Sequence, residues 1–163
     1  MTTMDLFETV LDSLPADAHR RRAWLALLRC FTHIERVLMQ HIAQQYNSSL
    51  PRYDILTALA LNKQSLSMGE LAIMLGVSKG NITGVVRRLK HDGLVNKVTL
   101  KQDRRIQSVT ISAAGRKLWE AMHSDYDRII TRLLAGQSDA EILALTRALQ
   151  QTLASVDKII SET

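Results

Sequence analysis

Residues 67–112 read SMGELAIMLGVSKGNITGVVRRLKHDGLVNKVTLKQDRRIQSVTIS, and the expected architecture follows from this stretch. Leu71, Ala72 and Leu75 share one face of a helix predicted over residues 68–75, and Gly76 stands where that helix needs its C-cap. Val77 fills the corner, and Ser78 offers a hydroxyl to cap a second helix. There Ile82, Val85, Val86 and Leu89 recur at 3.6-residue spacing and form the stripe expected to be buried. With that stripe inward, Gly80, Thr83, Gly84, Arg87 and His91 point outward, with Asn81 and Arg88 on the flank. Such a face admits close approach and carries donors: Arg87 suits guanine and Asn81 suits adenine in a DNA major groove. A helix-turn-helix reader sets the first residues of its second helix against base edges, here Lys79, Gly80, Asn81 and Thr83. On this pattern alone, the alternative is a solvated helix in an ordinary helical domain.

The next segment strengthens the nucleic-acid reading. Gly93 is placed as the second helix's C-cap, and beyond it the period changes. Residues 94–100 and 107–112 are rich in β-branched side chains and partly alternate, which predicts two strands. Between them lie Lys101, Gln102, Asp103, Arg104 and Arg105, a hairpin with a cationic tip. An arginine at such a tip suits the minor groove, where negative potential attracts it; Asp103 is placed to buttress Arg105, or Arg104 if the register slips by one.

ELAIMLGVSKGNITGVVRRLKHDGLV, then DRR, then VTISAAGRKL together resemble the MarR family of bacterial transcription regulators, over about a third of the chain. Two positions depart from the family's usual pattern: Leu100 stands where another aspartate is common, and Gly80 where a bulkier residue is common. The resemblance implies a mainly α fold with a small β-hairpin wing, a winged helix-turn-helix flanked by N- and C-terminal dimerisation helices. The expected organisation is one domain over 1–163. Its DNA-binding lobe spans 51–112 (helix-turn-helix about 67–90, wing about 94–112), with dimerisation helices in 1–48 and 113–163. The expected DNA contacts are Ser78, Lys79, Gly80, Asn81, Thr83, Gly84, Arg87, Arg88 and Lys90 on the helix, and Lys101, Asp103, Arg104 and Arg105 on the wing.

Charge distribution agrees. From Lys63 to Lys117 eleven Lys and Arg face three acids, a net of +8 within a chain whose total is +5. A surface that displaces counterions from phosphates needs that concentration of charge. No run of 18 apolar residues is present to span a membrane, the N-terminus lacks a signal peptide's basic start, and the single cysteine allows no internal disulfide. A cytoplasmic protein without membrane contact is expected.

The flanks read as helices. Residues 4–14 predict a short helix ended by Pro15. A long helix runs over about 18–46, with Trp24, Leu27, Leu28, Phe31, Ile34, Leu38 and Ile42 as its stripe. Pro51 opens the next helix, and residues 62–67 are a turn. Ser112 to about Ala135 is helical. Ser138 caps a last helix, with Glu141 completing a capping box and Ile142, Leu145, Leu149, Leu153, Val156 and Ile160 following at helical spacing. These terminal helices carry more apolar surface than a small winged helix covers, which predicts a homodimer on a palindromic DNA site.

No GxSxG, P-loop, HExxH or CxxC is present, so neither catalysis nor a metal or cofactor is expected. His33 and His41, with Glu35 nearby, are too far apart along their helix to share an ion. Cys30, among Leu28, Phe31 and Ile34, is expected to be a buried small hydrophobe, with redox sensing through its thiol as the alternative. The resemblance also implies a small effector, often an aromatic acid, held between lobe and dimerising helices. Its wall candidates are Trp24, Phe31, His33, Arg52, Tyr53 and Met68, each of which also suits a structural role. Arg20, Arg21 and Arg22 could hold an anionic effector or be solvated cations. The expected function is a repressor of a neighbouring operon, released by that effector. Two other functions fit the same fold: an architectural DNA binder, and a winged helix that binds protein instead of DNA.

Overall fold

The computed structural model describes residues 10, 13–15, 17–99 and 107–162. Most of the expected helix over 4–14, and the wing tip, lie outside them. The elements are α1 (His19–Tyr46), α2 (Leu50–Leu61), β1 (Leu66–Ser67), α3 (Met68–Leu75), α4 (Lys79–His91), β2 (Val95–Thr99), β3 (Gln107–Ile111), α5 (Ala113–Leu133) and α6 (Asp139–Ser161). The fold is mainly helical with a small antiparallel sheet, a winged helix. Two compact units divide the chain, residues 1–122 and 123–163.

The first unit is built around α2. Pro51 sits in its first turn, where a missing N–H costs little. Tyr53, Ile55, Leu56, Ala58 and Leu59 are all buried, so α2 is covered on most of its circumference instead of along one stripe. Leu38 and Ile42 of α1, Leu66 of β1, Leu71 of α3, the four stripe residues of α4, Val95, Val109 and Met122 complete the core among the described residues. Tyr46 Oη donates to the Ala121 carbonyl (2.9 Å) and Trp119 Nε1 donates to Thr57 Oγ1 (3.1 Å), fastening the first part of α5 to α1 and α2.

The sheet has one more strand than expected. Strand order is β1-β3-β2, with Leu66 opposite Val109 and Ser67 opposite Ser108. Two residues of the segment read as a turn therefore pair with the wing, because β3 has a second edge whose backbone groups need partners. Ser67 then serves twice. Its hydroxyl accepts from the Glu70 N–H (3.2 Å) while Glu70 accepts from the Ser67 N–H (2.7 Å), a capping box that starts α3 directly from the strand.

Both helices of the helix-turn-helix end on a left-handed glycine. Gly76 has φ +64° and Gly93 φ +71°. Val77 N–H reaches back to the Ala72 carbonyl (3.1 Å) and Leu94 N–H to that of Leu89 (2.9 Å), closing each helix over its last turn. In the second unit, Ser138 and Glu141 form the expected capping box at the start of α6. None of the described residues of α6 is buried. No helix among the described residues is long and apolar enough to cross a membrane.

Cys30 is exposed, contrary to the buried role expected of it. The reason lies in α1, whose buried residues, Leu38 and Ile42, are confined to its second half; Trp24, Leu27, Leu28 and Phe31 are exposed like the cysteine between them.

Candidate nucleic-acid interface

Helix α4 is fixed by its buried side and leaves the opposite side to solvent. Ile82, Val85, Val86 and Leu89 are between 0% and 8% exposed. At roughly 1.5–3 kcal/mol for each such side chain removed from water, the burial sets the rotation of the helix about its axis. Ser78 Oγ accepts from the Asn81 N–H (3.3 Å), so this hydroxyl serves the cap and keeps its own hydrogen for another acceptor. Lys79, Gly80, Asn81, Thr83, Arg87, Arg88 and Lys90 are exposed and Gly84 is half-buried. The side chains assigned to one outward face thus share the solvent side of one helix. Thr83 donates its hydroxyl proton to the Lys79 carbonyl (2.8 Å), which leaves the oxygen's lone pairs outward-facing as acceptors.

Arg88 departs from the others. A Cβ added to Gly84 would lie 4.0 Å from Arg88 Nη1, so the guanidinium folds back along the helix over that glycine. It occupies the flank, where the sequence pattern places it, and not the centre of the face. Arg88, Lys90 and His91 all lie in the last turn, a favourable place for positive charge against the helix dipole. Arg52, Arg87, Arg88, His91 and Asp92 line a concavity of about 420 Å³ beside that turn.

The wing is described at its base only. β2 and β3 pair from Val95↔Ile111 to Thr99↔Gln107. Lys101, Asp103, Arg104 and Arg105 fall in the connection between them, outside the described residues.

The effector candidates do not gather. Tyr53 is 4% exposed and belongs to the core, whereas Trp24 and Phe31 are 60% and 61% exposed on the first half of α1. His33 is exposed, its Nδ1 2.9 Å from the Arg29 carbonyl. Met68 is half-buried in the first turn of α3. Arg52 is engaged by Asp92, with Nη2 and Oδ2 2.7 Å apart. Arg20 and Arg21 border a shallow concavity with Pro15, Asp17, Ala18 and His19, while Arg22 donates to the Leu14 carbonyl (2.8 Å).

The cleft that the structure does form lies elsewhere. About 480 Å³ in volume, it runs between Glu35 of α1, Asp54 and Ile55 of α2, Leu75 of α3, and Asn81, Gly84, Val85 and Arg88 of α4. None of the six effector candidates lines it. Burial, and then the negative charge of Glu35, pushes the Asp54 carboxyl up to about 6. Asp54 was legible in principle as the one charged residue inside the apolar run from Tyr53 to Ala60 of α2. Among the described residues no three His, Cys, Asp or Glu side chains come close enough to hold a metal ion.

Comparison with known proteins fits this geometry. The MarR family profile matches residues 49–107, from the start of α2 to the first residue of β3. The transcriptional activatory protein BadR of Rhodopseudomonas palustris is 42% identical over 57 residues, 35% of this chain and 33% of BadR. The HTH-type transcriptional repressor IacR of Pseudomonas putida is 28% identical over 112 residues, 69% of this chain and 66% of IacR. The chain thus spans a third of the length of one relative and just under two thirds of the other. Among solved structures, the S. aureus MepR–DNA complex superposes with a TM-score of 0.73 at 23% identity, covering 80% of this chain and 96% of MepR. At that identity the likeness is one of fold.

Proposed function

We propose that this chain, which carries a MarR-family winged helix, is a sequence-specific DNA-binding transcription regulator and not an enzyme. It works as a homodimer that represses a neighbouring operon and is released by a small effector. The observation that carries this reading is the division of α4: four aliphatic side chains buried, and Lys79, Asn81, Thr83, Arg87 and Lys90 exposed on the other side around Gly80 and Gly84. A helix held so firmly by one face is a rigid platform for base-edge contacts by the other. Arg87 and Asn81 read bases, Ser78, Lys90 and Arg88 hold phosphates, and Arg105, or Arg104 if the register slips by one, enters the minor groove with Asp103 as its buttress. The named functions of the relatives, a repressor and an activator of transcription, support the same class.

Dimerisation rests on a second observation. Leu145, Leu149, Leu153, Val156 and Ile160 of α6 are 40–68% exposed at helical spacing. A contiguous apolar stripe of that kind on a single chain marks an association surface. A second copy supplies the matching stripe and sets two copies of α4 about one DNA turn, roughly 34 Å, apart. The effector reading rests on the cleft, which places any occupant directly against Asn81, Gly84 and Arg88 of the reading helix. Binding there shifts α4 only if the occupant prefers one of its positions over another.

The test is transcription from the promoter of the adjacent genes, with and without the chain. Loss of repression on deleting the gene, restored by the wild type and not by Arg87→Ala, is the expected result. Unchanged transcription together with salt-dependent but sequence-indifferent DNA binding would mark an architectural protein. No DNA binding at all would mark a protein-interaction module.

A further inference from the structure

Asp54 has no part in the reading face of α4 or in the core. Its half-buried carboxylate receives no hydrogen bond and no ion pair from any described residue, and it faces the 480 Å³ cleft together with Glu35. A carboxylate taken partly out of water without a partner is costly, and a structure that keeps one leaves it available to a donor. Arg88 lines the same cleft, its guanidinium lying over Gly84. The rest of the lining is largely apolar and includes Ile55 and Val85, both buried. The volume lies within the usual range for small-molecule sites, roughly 300–1,000 Å³.

Two carboxylates against one guanidinium leave the cleft with a net negative charge. A simple organic anion satisfies Arg88 but meets Glu35 and Asp54 with nothing to offer them. A simple cation satisfies the acids and leaves Arg88 unused. We propose that the cleft binds a small amphoteric aromatic molecule, its cationic nitrogen on Asp54 and Glu35, its acidic group on Arg88 and its ring against the aliphatic lining. This names the chemical class of the effector; the effect on DNA rests on the regulator reading, but the binding itself does not. The ammonium supplies charge-assisted hydrogen bonds that Asp54 lacks in the free protein, and the aromatic spacer contributes area without the entropy cost of a flexible chain.

Three probes that differ only in their ends test it: 4-(aminomethyl)benzoate, benzoate and benzylamine, titrated calorimetrically into the full chain at about pH 7.5, where the Asp54 carboxyl is ionised. The two-ended probe is expected to bind at least roughly tenfold tighter than either one-ended probe, the gain of one charge-assisted contact. Asp54→Asn should remove its advantage over benzoate, and Arg88→Gln its advantage over benzylamine. Glu35→Gln reads the same end as Asp54→Asn and stands in should the latter fail to fold. Benzoate binding as tightly as the two-ended probe, an advantage that survives both carboxylate substitutions, or no saturable binding by any probe would each overturn the inference. Operator binding without probe is measured in parallel: ligand binding without DNA binding sinks the regulator reading alone, and DNA binding without ligand binding sinks the cleft inference alone.

Discussion

Arg52 Nη2 lies 2.7 Å from Asp92 Oδ2, tying the first turn of α2 to the residue that ends the reading helix. Asp92 also receives His91 Nδ1 at 3.1 Å on its other oxygen. The bond from His91 and then that from Arg52 hold the Asp92 carboxyl below the usual carboxylate range. Arg52 Nε is buried without a hydrogen-bond partner among the described residues, and Asp92 is the group that compensates this guanidinium there.

Asp92→Asn should therefore lower both thermal stability and operator affinity, by releasing the end of α4. A depressed carboxylate contributes stability above its unfolded pKa and loses it as pH falls through the folded value. Melting curves should show the full gap between wild type and Asp92→Asn at about pH 7, shrinking once the pH passes below about 4. A gap equally wide at about pH 2 would mean that the ion pair is not its source.

Gly115 offers a steric test of how α5 enters the fold. A Cβ built there would stand 2.0 Å from the Leu94 carbonyl oxygen and 3.1 Å from Ile111 Cγ1. That same carbonyl accepts the Ser112 N–H (3.0 Å), so it is not free to move aside. Gly115→Ala should cost about 3 kcal/mol, despite alanine's better helix propensity, and lower the melting temperature by roughly 6–12 °C. A neutral or stabilising effect would show that the first turn of α5 lies further from β2 than described.

Asp54 gives a titration of the opposite sign. Its carboxyl is raised from the ordinary 3.8 to about 6, so the folded protein holds a proton that the unfolded chain has released between those values. Stability should fall as pH rises through that window and stay lower above it. Asp54→Asn should be more stable than wild type at about pH 7.5, by about 1 kcal/mol once solvent screening of this partly exposed group is allowed for, and the two should converge near pH 4. Among the described residues, the other charges lining the cleft are Glu35 and Arg88. Glu35→Gln should lower the apparent midpoint, because the carboxylate of Glu35 is one cause of the shift.

Much of this was legible in the sequence, and what was not has physical reasons. The stripe from Ile82 to Leu89, the caps at Ser78 and Ser138 and the glycine stops at Gly76 and Gly93 are local features, and local features survive translation into structure. β1 is two residues long and exists only because β3 has an edge to fill, which no local pattern announces. Cys30 misled because an apolar stripe states which face seeks cover, not whether a single chain supplies it. The cleft has no local signature, because Glu35, Asp54 and Arg88 come from three helices and share it only through their packing. Tyr53 and Arg52 look like ligand-binding residues in isolation; one fills the core and the other is engaged by Asp92.

The exposed stripe of α6 makes a sharp expectation about assembly. Wild-type protein should sediment as a dimer at micromolar concentration. Leu149→Asp combined with Leu153→Asp, which places two charges in an apolar contact, should abolish dimerisation or folding. A stable, well-folded wild-type monomer would contradict the proposed architecture.

Whether α4 reads DNA is decided by competition binding with Arg87→Ala. An operator taken from the adjacent promoter is titrated against a scrambled duplex over a range of salt. The wild type should prefer the operator by at least about 10³-fold, with affinity falling steeply as salt rises. Arg87→Ala should cost about 1–3 kcal/mol on the operator and relax discrimination at one base position in each half-site. Equal affinity for operator and scrambled duplex at every salt concentration, or operator binding that Arg87→Ala leaves untouched, would mean that α4 does not read the operator.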